Sequence, residues 1–228
     1  PRQNGLPPLP EWGAGPQDHP LSGRAISSGN PLKLQCRPLP KCWMAHQMIP
    51  PSWFEQDVVS AAEQLVGKRL LSHKGGVVTG GIITETEAYR APEDKASHAY
   101  GRRRTRRTET LFGPPATAYV YFCYGIHSLL NIVTGPVGTP HAVLIRALEP
   151  TDGHAEIERR RKGRRPLAGG PGTVCQALGL TTQDDGTPLG EALWIEEGPP
   201  LTQAIQTGPR IGIDYAEEWA GIPWRFYL

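Results

Sequence analysis

The chain has 228 residues, 38% of them hydrophobic, and a formal net charge of only +2 from 24 Lys+Arg against 22 Asp+Glu. That length suits one domain of ordinary size with a sizeable core. No apolar run is long enough to span a bilayer and no basic-then-apolar signal opens the chain, so a membrane or exported protein is not expected. The charge is unevenly spread: residues 102–107 ("RRRTRR") and 159–165 ("RRRKGRR") hold 11 of the 24 basic residues and no acid, leaving 13 basic against 22 acidic residues elsewhere, a balance of −9. Two cationic patches on an acidic body suit phosphates, although solvated loops have the same composition.

In chain order, the first fifty residues come first and differ from the rest. They hold ten of the 24 prolines, scattered glycines and no periodic apolar pattern. Such a segment buries too little surface to offset its ordering entropy, so a mostly disordered tail over 1–50 precedes a folded domain over 51–228. The only methionines, Met44 and Met48, lie at that junction; the native start is at one of them, or the tail is a real extension. "DVVSAAEQLVG" (57–67) predicts a helix with Asp57 as N-cap, Gly67 as stop, and Val58, Ala61, Ala62, Leu65 and Val66 on one face. "KRLLSHKGGVVTGGIITETEAY" (68–89) predicts two strands about a Gly75-Gly76 turn. "ATAYVYFCYGIHSLLNIVTG" (116–135), β-branched and aromatic, predicts another strand pair broken at Gly125. A strand over 141–150, a short helix over 170–180 and late strands over 190–198 and 209–215 follow. Short turns join strands directly, which predicts an α+β fold: a curved antiparallel sheet, or part-barrel, with helices packed around it.

Cys36, Cys42, Cys123 and Cys175 are irregularly spaced. No CxxC or His/Cys cluster has zinc spacing, so neither a metal nor any other cofactor is called for. Reduced thiols in apolar segments fit a cytoplasmic protein.

Two clusters carry chemistry. If 79–86 is a strand, Glu85 and Glu87 share one face and Thr84 and Thr86 the other. Two carboxylates followed by Tyr89 and His98 would make a base with aromatic walls, though charges on a half-exposed strand give the same spacing. In "YVYFCYG" (119–125), Tyr119, Tyr121 and Cys123 share a face, and Tyr124 before Gly125 falls at a hairpin tip. An aromatic there suits a wedge between stacked bases. A strand packing its own sheet explains the other tyrosines, and Tyr124 least.

"ETEAYRAPEDKASH", "AYVYFCYGIHSLLNIV", "VLIRALEP", "GPGTVCQALGL" and "EWAGIPWRFY" occur here in the order and spacing that characterise alkyladenine (3-methyladenine) DNA glycosylases. The chain resembles that family from about Trp53 to Leu228. The resemblance implies a monofunctional base-excision-repair enzyme that flips damaged purines out of double-stranded DNA and hydrolyses the N-glycosidic bond, leaving an abasic site. It implies Glu87 as general base and Arg146 as the residue holding the water and Glu87, which should keep Glu87 ionised. It further implies a base pocket of Tyr89, His98, Tyr121 and Asn131, with Asn131 excluding guanine's exocyclic amine. Tyr124 would fill the gap in the stack, and Arg103, Thr105 and Arg107 would contact the DNA backbone. Thr173 stands where a lysine near phosphate is expected, and His127 where another aromatic is. A monomer acting in the cytoplasm, at the nucleoid of a bacterium or in a eukaryotic nucleus, follows. Residues 151–170 and pocket positions outside the motifs would set the choice among alkylated, deaminated and etheno purines.

Two other readings stand beside this one. A glycosylase-lyase would use the amine of Pro1 as nucleophile. A non-catalytic module would sense distorted DNA with Tyr124 and the arginines, but a desolvated carboxylate near phosphate would weaken it.

Overall fold

The computed structural model describes residues 48–228. The proposed disorder of the tail, Pro1, Met44, Cys36 and Cys42 lie outside these residues. Packing has begun by Ile49, which is buried and donates its N–H to Ile195 O at 2.9 Å.

Helix α1 (Val58–Leu65) forms as its pattern requires. The Asp57 carboxylate accepts from the N–H groups of Val59 (3.0 Å) and Ser60 (3.2 Å), satisfying donors that the first turn leaves free. Its buried stripe is Val58, Ala61, Ala62 and Leu65. Strands β1 (Arg69–Lys74) and β2 (Val77–Arg90) pair antiparallel across Gly75 and Gly76, both in the positive-φ region that a two-residue hairpin demands. Then come β3 (Ala118–Cys123), β4 (His127–Thr134), β5 (His141–Asp152), helices α2 (His154–Arg161) and α3 (Pro171–Leu178), and the short strands β6 (Leu193–Glu196), β7 (Gln206–Gly208) and β8 (Arg225–Tyr227).

The main path of the sheet runs β3-β4-β5-β2-β1-β6. β2 is long enough to carry β5 along one edge and β1 followed by β8 along the other. The sheet curls into an antiparallel half-barrel with helices packed on it, the α+β architecture expected. Among the described residues no helix is long and apolar enough to cross a membrane.

One face of the sheet feeds the main core. Ala88, Val120, Leu130, Ile132, Val143 and Ile145 point there, towards α1 and α3. Thr86 shares that face and donates its hydroxyl to Ala62 O at 2.7 Å. The opposite face holds a row of paired residues running across four strands: Tyr119, Asn131, Leu144 and Glu87. Residues paired in register point the same way. The row is therefore the floor of whatever lies on that face.

One predicted strand is absent. Residues 209–213 form no regular element, and Asp214–Trp219 is a 3-10 helix. The guanidinium of Arg210 is drawn into the interior and Gly212 takes a φ of +77°, so "PRIGIDY" cannot keep a two-faced alternation. The stretch 151–170, unplaced by pattern, completes β5 and forms α2.

Candidate active site

A cavity of about 660 Å³ opens on the face carrying that row. Tyr89, His98, Tyr119, Tyr121, Asn131 and Arg146 are among its walls. The structure thus gathers the predicted pocket residues from four separate segments into one space. Glu87 lies one layer below, fully buried at 0% exposure, behind the wall residues Tyr89, Arg146 and Ile211.

The sheet is irregular where the carboxylates sit. Pairing of β2 with β5 passes from Ile83–Leu148 to Glu85–Ala147 to Thr86–Ile145, so Thr84 is extra on one strand and Arg146 on the other. The two irregularities cancel and the flanking register is kept. Such bulges re-aim side chains beside sites of chemistry. Here Arg146 is brought between both acids: its Nε donates to Glu85 Oε1 at 3.0 Å and its Nη1 lies 3.3 Å from Glu87 Oε1. Glu85 also accepts from Arg225 Nη1 at 3.0 Å. Glu85 is therefore committed to two arginines.

Glu87 accepts two hydrogen bonds and faces one arginine. The Tyr89 hydroxyl donates to Oε2 at 2.8 Å, the Ile211 N–H to Oε1 at 2.8 Å, and Arg146 supplies the neighbouring charge. Burial nevertheless raises its pKa above the ordinary carboxylate value, while Arg146, Ile211 N–H and the Tyr89 hydroxyl pull it down. The arginine acts in the expected direction, but desolvation outweighs it.

The aromatic wall is tightly coupled. Tyr121 meets His98 edge-on with centroids 4.5 Å apart, and His98 Nδ1 lies 2.9 Å from the Tyr119 hydroxyl. Burial and then the charge of Arg107 push His98 down to about 4, so its ring is neutral at neutral pH. Asn131 is buried and donates Nδ2 to Tyr119 O at 3.3 Å. Tyr119 did not stand out in sequence beyond sharing a face with Tyr121. Ile211 contributes a backbone group, which no side-chain pattern reports.

Tyr124 is 90% exposed at the tip of the β3–β4 hairpin, with φ +49° followed by Gly125 at +68°. Arg103, Thr105 and Arg107 line a second groove of about 320 Å³ that shares Ala96, Ser97, His98, Arg107 and Tyr215 with the main cavity. Their loop is pinned by Thr108, whose hydroxyl accepts from Thr105 N at 2.8 Å and donates to Arg103 O at 2.9 Å. Arg107 also sits over the Tyr121 ring at 5.1 Å. The second basic run is spent differently. Arg159 and Arg160 bond Glu156, Arg165 pairs with Glu158, and Arg160 also donates to Thr79, Ala177 O and Lys74 O. His127 and Thr173 both reach the cavity. His127 packs on Gly172 so closely that a Cβ there would fall 2.6 Å from its ring. Thr173 bonds back to Gly170.

A buried carboxylate beneath an aromatic cavity, beside an exposed arginine loop, is an arrangement suited to acid–base chemistry on a planar group carried by a polyanion. Known proteins narrow that class. The model of the methylpurine-DNA glycosylase family matches residues 52–228, and the chain belongs to that family. Proteins from Bacillus cereus (strain B4264) and Bacillus anthracis (strain CDC 684 / NRRL 3495), each named "Putative 3-methyladenine DNA glycosylase", are 47% identical to it over 192 residues. The matches cover 78% of this chain and 94% of each relative. It is a DNA glycosylase.

Proposed function

We propose that the chain excises alkylated purines such as 3-methyladenine from double-stranded DNA, with Glu87 as the general base of a hydrolytic reaction. The observation carrying this reading is the Glu87 carboxylate, buried yet held by Tyr89, Ile211 N–H and Arg146, all cavity-wall residues. Water enters between them, and its oxygen bonds C1′ of the sugar as the bond from C1′ to the purine nitrogen breaks. The electron pair of that bond leaves with the purine and the proton passes to Glu87. A pKa above the ordinary carboxylate value makes Glu87 a better proton acceptor, and places the acid limb of the rate profile above that value. Arg146 aligns Glu87 and the water.

The lesion must leave the stack to reach this cavity. Tyr124 fills the gap behind it, and Arg103, Thr105 and Arg107 hold the backbone beside the pocket mouth. Tyr89, His98 and Tyr121 clasp the flipped base. An N-alkylated purine carries positive charge and is attracted to electron-rich rings. The low pKa of His98 supports this, because a protonated imidazole would repel that base. Asn131, on the cavity floor, crowds guanine's exocyclic amine. The catalytic unit in this reading is 51–228, acting as a monomer wherever the genome lies. A binding module without chemistry would gain nothing from a buried carboxylate.

The test is Glu87→Gln, which keeps shape and removes the base. Excision should fall by ~10²–10⁴, with lesion-duplex affinity within a few fold of the parent. Excision near the parent rate would transfer the role to Glu85.

A further inference from the structure

A second buried ion pair stands behind the cavity. The side chains of Arg210 and Asp94 are both 0% exposed. Arg210 reaches both Asp94 oxygens through its two terminal nitrogens, Nη2 to Oδ1 at 2.9 Å. Nη1 also donates to Ala88 O at 2.9 Å, and Nη2 to Trp219 O at 3.2 Å. The guanidinium lies 4.8 Å from the Tyr89 ring centre and 5.2 Å from that of Trp224. Asp94 accepts from Ala96 N at 3.0 Å and from Arg90 N at 3.3 Å. Buried pairs of this kind add little stability over an apolar replacement of the same shape, because desolvation offsets their attraction. Their value lies in what they fix.

What this pair fixes surrounds Glu87. Ile211, whose N–H donates to Glu87 Oε1, is the residue after Arg210. Tyr89, whose ring Arg210 backs, donates its hydroxyl to Glu87 Oε2. Asp94 folds the turn leading to His98 on the cavity wall. Both hydrogen-bond donors to Glu87 thus sit directly against this one ion pair.

We propose that Asp94 and Arg210 are positioning residues of the glycosylase reaction, holding Ile211 N–H and the Tyr89 hydroxyl on the Glu87 carboxylate. The inference rests on Glu87 being the general base.

The groups that set the titration of Glu87 are Glu85 and Tyr89 on β2, Arg146 on β5 and Ile211 N–H. Arg225 of β8 stands opposite Glu87 in register but gives its guanidinium to Glu85. Hydrogen bonds to a carboxylate favour its charged form. Releasing Ile211 and Tyr89 therefore raises the Glu87 pKa further, and the acid limb of the excision profile moves to higher pH. A purely structural role would lower the folded fraction and leave the limb where it was.

The experiment is single-turnover excision from a 3-methyladenine-type duplex across pH, on the full chain, well below the melting temperature of each variant. Asp94→Asn should lose about 10²-fold in rate, the scale of a small misplacement of reacting groups, with lesion-duplex Kd within a few fold. Its acid limb should move up. Arg210→Lys keeps a cation beside Asp94 but loses the fork to Ala88 O and Trp219 O, and should move the limb likewise if Asp94→Asn does not fold. Tyr89→Phe removes the hydroxyl donor while keeping the ring against Arg210, and combining it with Asp94→Asn should shift the limb by less than the sum of the two single effects. A limb at the parent position in the folded pair variants, with losses that follow the folded fraction, overturns the positioning role. Glu87→Gln run alongside separates the two ideas: an active Glu87→Gln defeats the base assignment, while an inactive one with an unmoved limb defeats the positioning role alone.

Discussion

Replacing Tyr124 by glycine should improve the fold slightly and damage the enzyme. The ring is 90% exposed, so its loss forfeits almost no burial. Its backbone sits at φ +49°, a region that costs a side-chain-bearing residue roughly 1–2 kcal/mol. Glycine removes that strain but adds roughly 0.5–1 kcal/mol of unfolded-state freedom. The net is a gain of about 0–1.5 kcal/mol, or a melting temperature unchanged to about 6 °C higher for a chain of this size. Activity should go the other way. A base–aromatic stack contributes ~1–3 kcal/mol, so an unfilled gap should lower the population of extruded lesion by about 5–150-fold. Excision under single-turnover conditions, from a lesion opposite a partner and from the same lesion in an unpaired bubble, measures this directly. The defect should appear on the paired substrate and shrink on the bubble, where little unstacking is needed. Equal losses on both would remove the wedge role, and a melting temperature several degrees lower would return Tyr124 to sheet packing.

Three further outcomes are expected. Non-specific duplex affinity should fall with salt along a log–log slope near −0.9 per phosphate neutralised, and Arg103→Ala with Arg107→Ala should flatten it by about one to two units. Arg159→Ala with Arg165→Ala should leave that slope unchanged, because those guanidinium groups already serve Glu156 and Glu158; the reverse ranking in a salt titration would reassign the DNA-facing surface. Removing residues 1–47 should leave excision at the parent rate, since the family match begins at residue 52 and the core at Ile49; a large fall in excision or in melting temperature would give that segment a part in the domain.

Much of the fold was legible because local signals agreed with packing. Asp57 caps the helix its position announces, and Gly75-Gly76 makes the hairpin. The alternation of 118–123 and 127–134 separates core-facing Val120, Leu130 and Ile132 from cavity-facing Tyr121 and Asn131. Residues 209–215 misled because Ile211 and Ile213 alternate like a strand. A buried ion pair with Asp94, 116 positions away, overrides that pattern, and no local propensity reports such a partner. The second arginine run shows a related limit of composition. Composition counts its charges, whereas Glu156 and Glu158 on the same helix decide how many remain free.

The two acids of "ETEAY" mark where pattern reading stops. Alternation places Glu85 and Glu87 on one face, and they do share the guanidinium of Arg146. Alternation treats them as equivalent, however, and the structure makes them opposites. Glu85 accepts from two arginines and serves as an anchor. Glu87, two residues on, has one arginine, a hydroxyl and a backbone N–H around a fully desolvated carboxylate, and its pKa rises. The difference arises from the paired bulges at Thr84 and Arg146, which set Arg146 between the acids, and from Arg225 on β8, which pairs with Glu87 in register but gives its guanidinium to Glu85. A family resemblance identifies Glu87 because it compares whole motifs. The physical reason lies in strands that meet from 60 to 140 residues apart, and there one carboxylate becomes the acceptor of a proton and its neighbour the support for the arginine between them.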